Sequence, residues 1–162
     1  MKILSRKVPG TTFTLYPLSD VHWPQHDPEK LKAWLEEVKR DKTGIVTLGG
    51  DLFDFARGKY RAHLRSYTGD DNSRNPIDDM AYSWVEDMAK FLKPIKDRIL
   101  MTCVGNHFWS FADGRVSDQE LAIQLDRGDS FVGAFGIARM ILPDKNVMIA
   151  LHHDAGKKGG TI

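Results

Sequence analysis

Cysteine is almost absent: Cys103 is the only one in 162 residues, so no internal disulfide can form and a reducing compartment fits. It sits within an apolar run and reads as a small buried hydrophobe. Long hydrophobic stretches are missing too. No segment approaches the ~18 consecutive apolar residues of a membrane span. The opening Met1-Lys2-Ile3-Leu4-Ser5-Arg6 lacks the shape of a signal peptide. The expected location is the cytoplasm, with no membrane partner. Nor is there an excess of either charge, since 23 Lys and Arg face 22 Asp and Glu, and overall charge therefore points to no polyanionic partner. Internal repeats and low-complexity tracts are lacking, and the length suits one domain with a sizeable core.

What the chain does contain is an alternation of apolar runs and amphipathic stretches. Phe13 to Leu18, Ile45 to Leu48, Ile99 to Val104, Phe131 to Leu142 and Val147 to Leu151 read as strands. The last two are joined by a turn at Pro143-Asp144-Lys145-Asn146. Asp27-Pro28 predicts an N-cap and first helical position, with Leu31, Trp34, Leu35 and Val38 on one face to about Arg40. Thr68 to Pro76 is a polar loop. From Ile77, Met80, Ala81, Trp84, Val85, Met88, Phe91 and Leu92 trace a second helix that stops near Pro94. Ser117-x-x-Glu120 predicts a capping box opening a third helix through about Asp126. Strands alternating with helices predict a mainly parallel α/β sheet covered by helices.

The chemistry-bearing residues cluster where the strands end. Asp20-Val-His22, Gly50-Asp51-Leu52-Phe53-Asp54 and Gly105-Asn106-His107 each follow an apolar run, and His152, His153 and Asp154 follow a fourth. Ligands collect at the carboxyl ends of strands in open α/β sheets. Carboxylate, imidazole and amide groups gathered there are ligand types for divalent metals such as Mn²⁺, Fe²⁺ and Zn²⁺.

The ordered set Asp-x-His, Gly-Asp-x-x-Asp, Gly-Asn-His and a later strand-borne histidine resembles the calcineurin-like metallophosphoesterases. The resemblance covers residues 20 to about 154. It implies an α/β sandwich of two β-sheets flanked by helices, with two divalent ions (Mn, Fe, Zn or Ni) clamping a phosphate ester. Asp20 and His22 would bind one ion, Asp51 would bridge the pair, and Asn106 and a late histidine would bind the other. A bridging carboxylate offsets the repulsion of two dications, and ions ~3.5–4 Å apart stabilise both oxygens of an in-line displacement by a metal-activated water. His107 would donate a proton to the leaving group rather than bind metal. An acidic residue commonly follows Gly-Asn-His in the family; here Phe108 stands in its place, so His107 needs another orienting partner. Asp54 would orient its neighbours. Adjacent strand residues face opposite sides, so at most one of His152 and His153 reaches the ions from a regular strand. His152 directly follows the apolar run and is the expected ligand; His153 then binds phosphate or is an ordinary turn residue.

Other candidates carry a functional and a plainer reading. Arg57, Lys59, Arg61 and Arg65, interleaved with Tyr60, His63 and Tyr67, form either a phosphate- or nucleic-acid-binding patch or a solvated surface. Trp23, Phe108 and Trp109 wall a substrate pocket or pack the core. His26 supports the metal site or is solvated. Gly156-Lys157-Lys158-Gly159-Gly160 lacks P-loop spacing and reads as a basic tail.

The family's closing Gly-His-x-His segment is absent, and no histidine follows His153. The expectation is a domain lacking its C-terminal part, with an apolar face of its later strands left uncovered. The expected function is metal-dependent hydrolysis of a phosphomonoester or phosphodiester. The alternatives are a nuclease of the same fold and a catalytically silent binding module. Substrate identity, native metal and oligomeric state are not legible.

Overall fold

The computed structural model describes residues 2–55 and 76–153. The basic patch from Arg57 to Arg65 with Tyr67, the loop residues 68–75, Asp154 and the basic tail lie outside the described residues. Among the described residues there are seven strands: β1 (Lys2–Lys7), β2 (Thr14–Leu18), β3 (Gly44–Leu48), β4 (Ile99–Cys103), β5 (Phe131–Gly133), β6 (Phe135–Ile141) and β7 (Asn146–His152). The α-helices of the described residues are α1 (Pro28–Arg40), α2 (Pro76–Leu92) and α3 (Ser117–Gln124). The chain is α/β, with a parallel four-stranded sheet ordered β2-β3-β4-β5 and a three-stranded sheet ordered β1-β6-β7. In the smaller sheet β1 runs parallel to β6, and β6 and β7 form an antiparallel hairpin.

The local reasons are readable. Asp27 caps α1 by accepting from the Glu29 and Lys30 amides at 3.1 Å each. Leu31, Leu35 and Val38 are buried on its inner face. Its C-terminal carbonyls are met by Arg98, which donates to the Val38, Lys39 and Asp41 oxygens. A cation is favourable there because it opposes the helix dipole. Helix α2 buries Ala81, Val85, Met88 and Leu92, whereas Met80, expected on that face, is exposed. Strands β3 and β4 are buried throughout, as the central strands of a sheet covered on both faces must be.

Two apolar clusters follow. Val46, Leu48 and Ile99 pack with α1 and α2 side chains such as Leu35, Val85 and Met88. Ile45, Leu100 and Met101 instead join Ala138 and Met140 of β6, so the two sheets share a second core. This arrangement departs from a single sheet between helices: one face of the parallel sheet meets helices and the other meets the smaller sheet.

Two further expectations are corrected. Phe131 to Leu142 is two strands in different sheets, because Gly133 takes φ +73° and redirects the chain. The capping box does not form. Ser117 accepts from the Trp109 amide and approaches Asp118, while Glu120 meets Arg115 and Gln124. Val116 occupies the cap position without a side-chain bond. On the smaller sheet Ile3, Phe135 and Met148 are exposed large apolar residues.

Candidate metal centre

The segments following β2, β3 and β4 are stitched together beyond the ends of the strands. The Asp20 amide donates to the Gly50 carbonyl at 3.1 Å, and the His22 amide to the Asp51 carbonyl at 3.1 Å. Trp23 then donates to Leu52, Asp54 to Trp23, and Phe55 to His107. Parallel pairing thus continues into the loops and fixes their side chains. Asp20, His22 and Asp51 take φ values of +53°, +55° and +49°. Non-glycine residues in the left-handed region are uncommon, and each costs of order 1 kcal/mol or more. Three of them side by side are held by the network of amide bonds around them.

Asp51 is the centre of the arrangement and is only 6 % exposed. Its Oδ1 accepts from the backbone amides of Asn106 at 2.6 Å and His107 at 2.9 Å. These charge-assisted bonds lock the carboxylate plane. They also require Gly105, where an added Cβ would lie 2.0 Å from Asp51 Oδ1 and 2.1 Å from its backbone nitrogen. Gly50, at φ +94°, is equally constrained, since a Cβ there would lie 2.7 Å from the Gly105 nitrogen.

Around Asp51 the structure gathers most of the expected residues. Asp20, His22 and Asp51 each present a ligand atom within 4.8 Å of the others, and His22, Asp54 and His107 form a second such group. Asp54 Oδ1 is 2.9 Å from His107 Nδ1 and 3.6 Å from His22 Nδ1. Asp54 is thus the carboxylate that contacts His107, as expected of a residue that orients its neighbours. The His22 and His107 rings meet edge to face at 5.0 Å.

The late histidine differs from expectation. His152 is exposed and lies against Phe135, with ring centroids 6.1 Å apart, away from Asp51. His153 is the imidazole brought to the centre, its side chain 10 % exposed and its Nε2 3.2 Å from Asp51 Oδ2. The reason is strand parity. Val147, Ile149 and Leu151 are the more buried residues of β7, so position 153 continues their face. The alternation inside the strand held that signal, and proximity to the end of the run concealed it.

The tautomer of His153 follows from its other nitrogen. Nδ1 is 2.9 Å from the Gly49 carbonyl oxygen, which can only accept, so Nδ1 carries a hydrogen. In a neutral ring Nε2 then presents a lone pair to a carboxylate oxygen. Nε2 and Asp51 Oδ2, 3.2 Å apart, thus turn toward one another as two ligands of one cation would. Backbone anchoring of Nδ1 is also how metal-binding histidines are commonly oriented. The donor set, carboxylate and imidazole with an asparagine adjacent, suits a divalent transition metal.

Further out, Trp23 and His26 stack at 4.2 Å with planes 12° apart. Trp109 is a core residue, fully buried and donating from Nε1 to Asp78 at 2.6 Å. Cys103 is buried, and burial pushes its thiol pKa up. One residue gave no signal in the sequence: Asp118, 1 % exposed at the start of α3. Its carboxyl pKa is pushed up to about 7, first by burial and further by the nearby Asp51 charge. No helix among the described residues is long and apolar enough to cross a membrane. The chain matches no family model, no curated protein and no solved structure.

Proposed function

We propose that this chain is a metal-dependent phosphoesterase with a calcineurin-like metallophosphoesterase sandwich. The observation that carries the reading is the opposition of His153 Nε2 and Asp51 Oδ2 with the His153 tautomer fixed by Gly49. Support for the fold comes from two sheets sharing a core, with motif residues at the carboxyl ends of β2, β3 and β4. Asp20 and His22 would hold one divalent ion, Asn106 and His153 the other, and Asp51 would serve both. Bound ions of the Mn, Fe, Zn or Ni kind supply Lewis acidity and activate water near neutral pH.

The chain's own residues do the rest. Asp51, locked by the Asn106 and His107 amides, would supply the negative charge that two ions share. With Nδ1 engaged by Asp54, His107 offers Nε2 to the leaving-group oxygen of a phosphomonoester or phosphodiester.

The test is direct. The purified chain is loaded with Mn²⁺, its metal content is measured, and hydrolysis of an aryl phosphomonoester and an aryl phosphodiester is followed with and without chelator. Two ions per chain and chelator-sensitive turnover are expected. Absence of metal binding at saturating Mn²⁺, or turnover indifferent to chelation, would sink the reading.

A further inference from the structure

Beside the metal centre lies a cavity of about 220 Å³ between the segment after β2 and the first turns of α1. Asp20, Val21, His26, Lys30, Leu31 and Trp34 are among its walls. Asp20 is therefore shared: it belongs to the group with His22 and Asp51, and it also lines this cavity. Val21 and Leu31 are buried and give an apolar floor, and Trp34 is a half-buried indole packed at the edge of the core. His26 is held flat against Trp23, whose amide is in turn fixed by the Leu52 carbonyl. The side of the cavity away from the core carries Lys30, paired with Asp27 at 3.2 Å.

We propose that this cavity receives the organic group of the phosphate ester, and that the group is a single aromatic ring system, either an aryl group or a nucleobase. The inference rests on the phosphoesterase reading and names the substrate class for that site. Three observations converge on it. Sites for drug-sized ligands run from ~300 to 1,000 Å³, so a smaller cavity takes a fragment such as one ring system. An apolar floor flanked by an indole and an imidazole offers the flat, polarisable surfaces on which aromatic rings pack. Asp20 lines the cavity and also belongs to the candidate metal group, so the two adjoin. Asp27 also lines the cavity, and its pairing with Lys30 keeps both charges at the exposed rim.

The experiment uses the whole chain and two readouts. The first is kcat/KM for an aryl phosphate and for a small fluorinated alkyl phosphate of matched leaving-group acidity, with Mn²⁺ present. Wild type should prefer the aryl ester, and Trp34→Ala should lower the aryl-to-alkyl ratio about tenfold, chiefly through KM. Trp34→Phe should restore most of the ratio, which a merely structural lesion would not allow. The second readout needs no turnover: phenol and adenosine are titrated into metal-free protein while the indole N–H signals are followed by NMR. A shift of the Trp34 signal by either probe, lost in Trp34→Ala, is expected, and the stronger probe identifies the aryl or the nucleobase source. Turnover with an unchanged ratio in Trp34→Ala, or no shift with either probe, overturns the cavity's role while leaving phosphoesterase activity intact. A metal-loaded wild type that hydrolyses neither ester overturns the underlying reading and this role with it, whether or not a ring binds.

Discussion

His153 Nε2 faces Asp51 Oδ2 at 3.2 Å while His153 Nδ1 donates to the Gly49 carbonyl at 2.9 Å. The pair links the end of β7 to the segment after β3, more than a hundred residues apart in sequence. Replacing His153 with Ala should therefore weaken binding of one ion by tenfold or more, as loss of an oriented metal-site group does. His152→Ala, at an exposed position beside Phe135, should change affinity by less than about twofold. Isothermal titration with Mn²⁺ on the two variants decides between them, and an equal loss in both would refute the parity argument.

Asp51 is expected to be the most sensitive ligand. Asp51→Asn keeps an oxygen for the Asn106 and His107 amides but removes the negative charge that the proposed pair of ions would share. Both ions should be lost together, with turnover falling to background, while circular dichroism of the metal-free protein stays close to wild type. Retention of full metal stoichiometry by this variant would show that another group bridges the ions.

Gly105 offers a purely steric counterpart. A Cβ placed there overlaps the Asp51 side chain and backbone, so Gly105→Ala must displace the segment rather than rotate a side chain. The expected cost is roughly 1–3 kcal/mol, the range for overpacking, together with loss of metal affinity. Chemical denaturation in chelator isolates the first effect. A variant as stable as wild type would mean that the segments after β3 and β4 can separate without penalty.

Much of this was legible in the sequence, and the exceptions have physical causes. Strands β3 and β4 appear as apolar runs because they are buried throughout, whereas β2 is an edge strand buried fully only at Leu18; the motifs follow from the run ends. Strand β1 escaped notice because Lys2–Lys7 is an edge strand with Ser5 and Lys7 facing outward, leaving Leu4 as its main contribution to the second core. The division of β5 from β6 turns on one backbone angle at Gly133, which composition cannot reveal. The motif order pointed to Asp20, His22, Asp51, Asn106 and His107 together. The choice between His152 and His153 required the inward face of β7, and adjacency to the apolar run misled. Asp118 was invisible because a carboxylate two residues into a polar helix start ordinarily faces water.

His107 and Asp54 should separate chemistry from binding. His107→Asn should keep its metal content and lose about 10²–10⁴-fold in turnover, the range for a positioned acid or base. The loss should shrink for esters with very acidic leaving groups, which depart without a proton. Asp54→Asn, which retains an oxygen beside His107 Nδ1 but not the charge, should fall between wild type and His107→Asn. Loss of metal from the His107 variant would instead make that ring a ligand, as its grouping with His22 and Asp54 permits.

Asp118 gives a prediction about stability. Its carboxyl holds a proton up to about pH 7 in the folded chain, against 3.8 as the reference for an unfolded one, because burial disfavours the charged form. Between those values the folded state binds more protons than the unfolded state, so stability falls as pH rises from about 4 to about 7 and is flat above. The accumulated penalty is on the order of a few kcal/mol. Asp118→Asn cannot ionise and still offers an oxygen to Ser117, which lies 3.2 Å from the carboxylate. Its stability relative to wild type should therefore increase steadily across that interval and level off near neutrality. The measurement is urea denaturation of both proteins from pH 4 to 8 in chelator, because a cation at Asp51 would offset the charge that helps raise the Asp118 pKa. Parallel pH profiles for the two proteins would show that Asp118 is ionised in the folded state. It would then need a buried partner beyond Ser117.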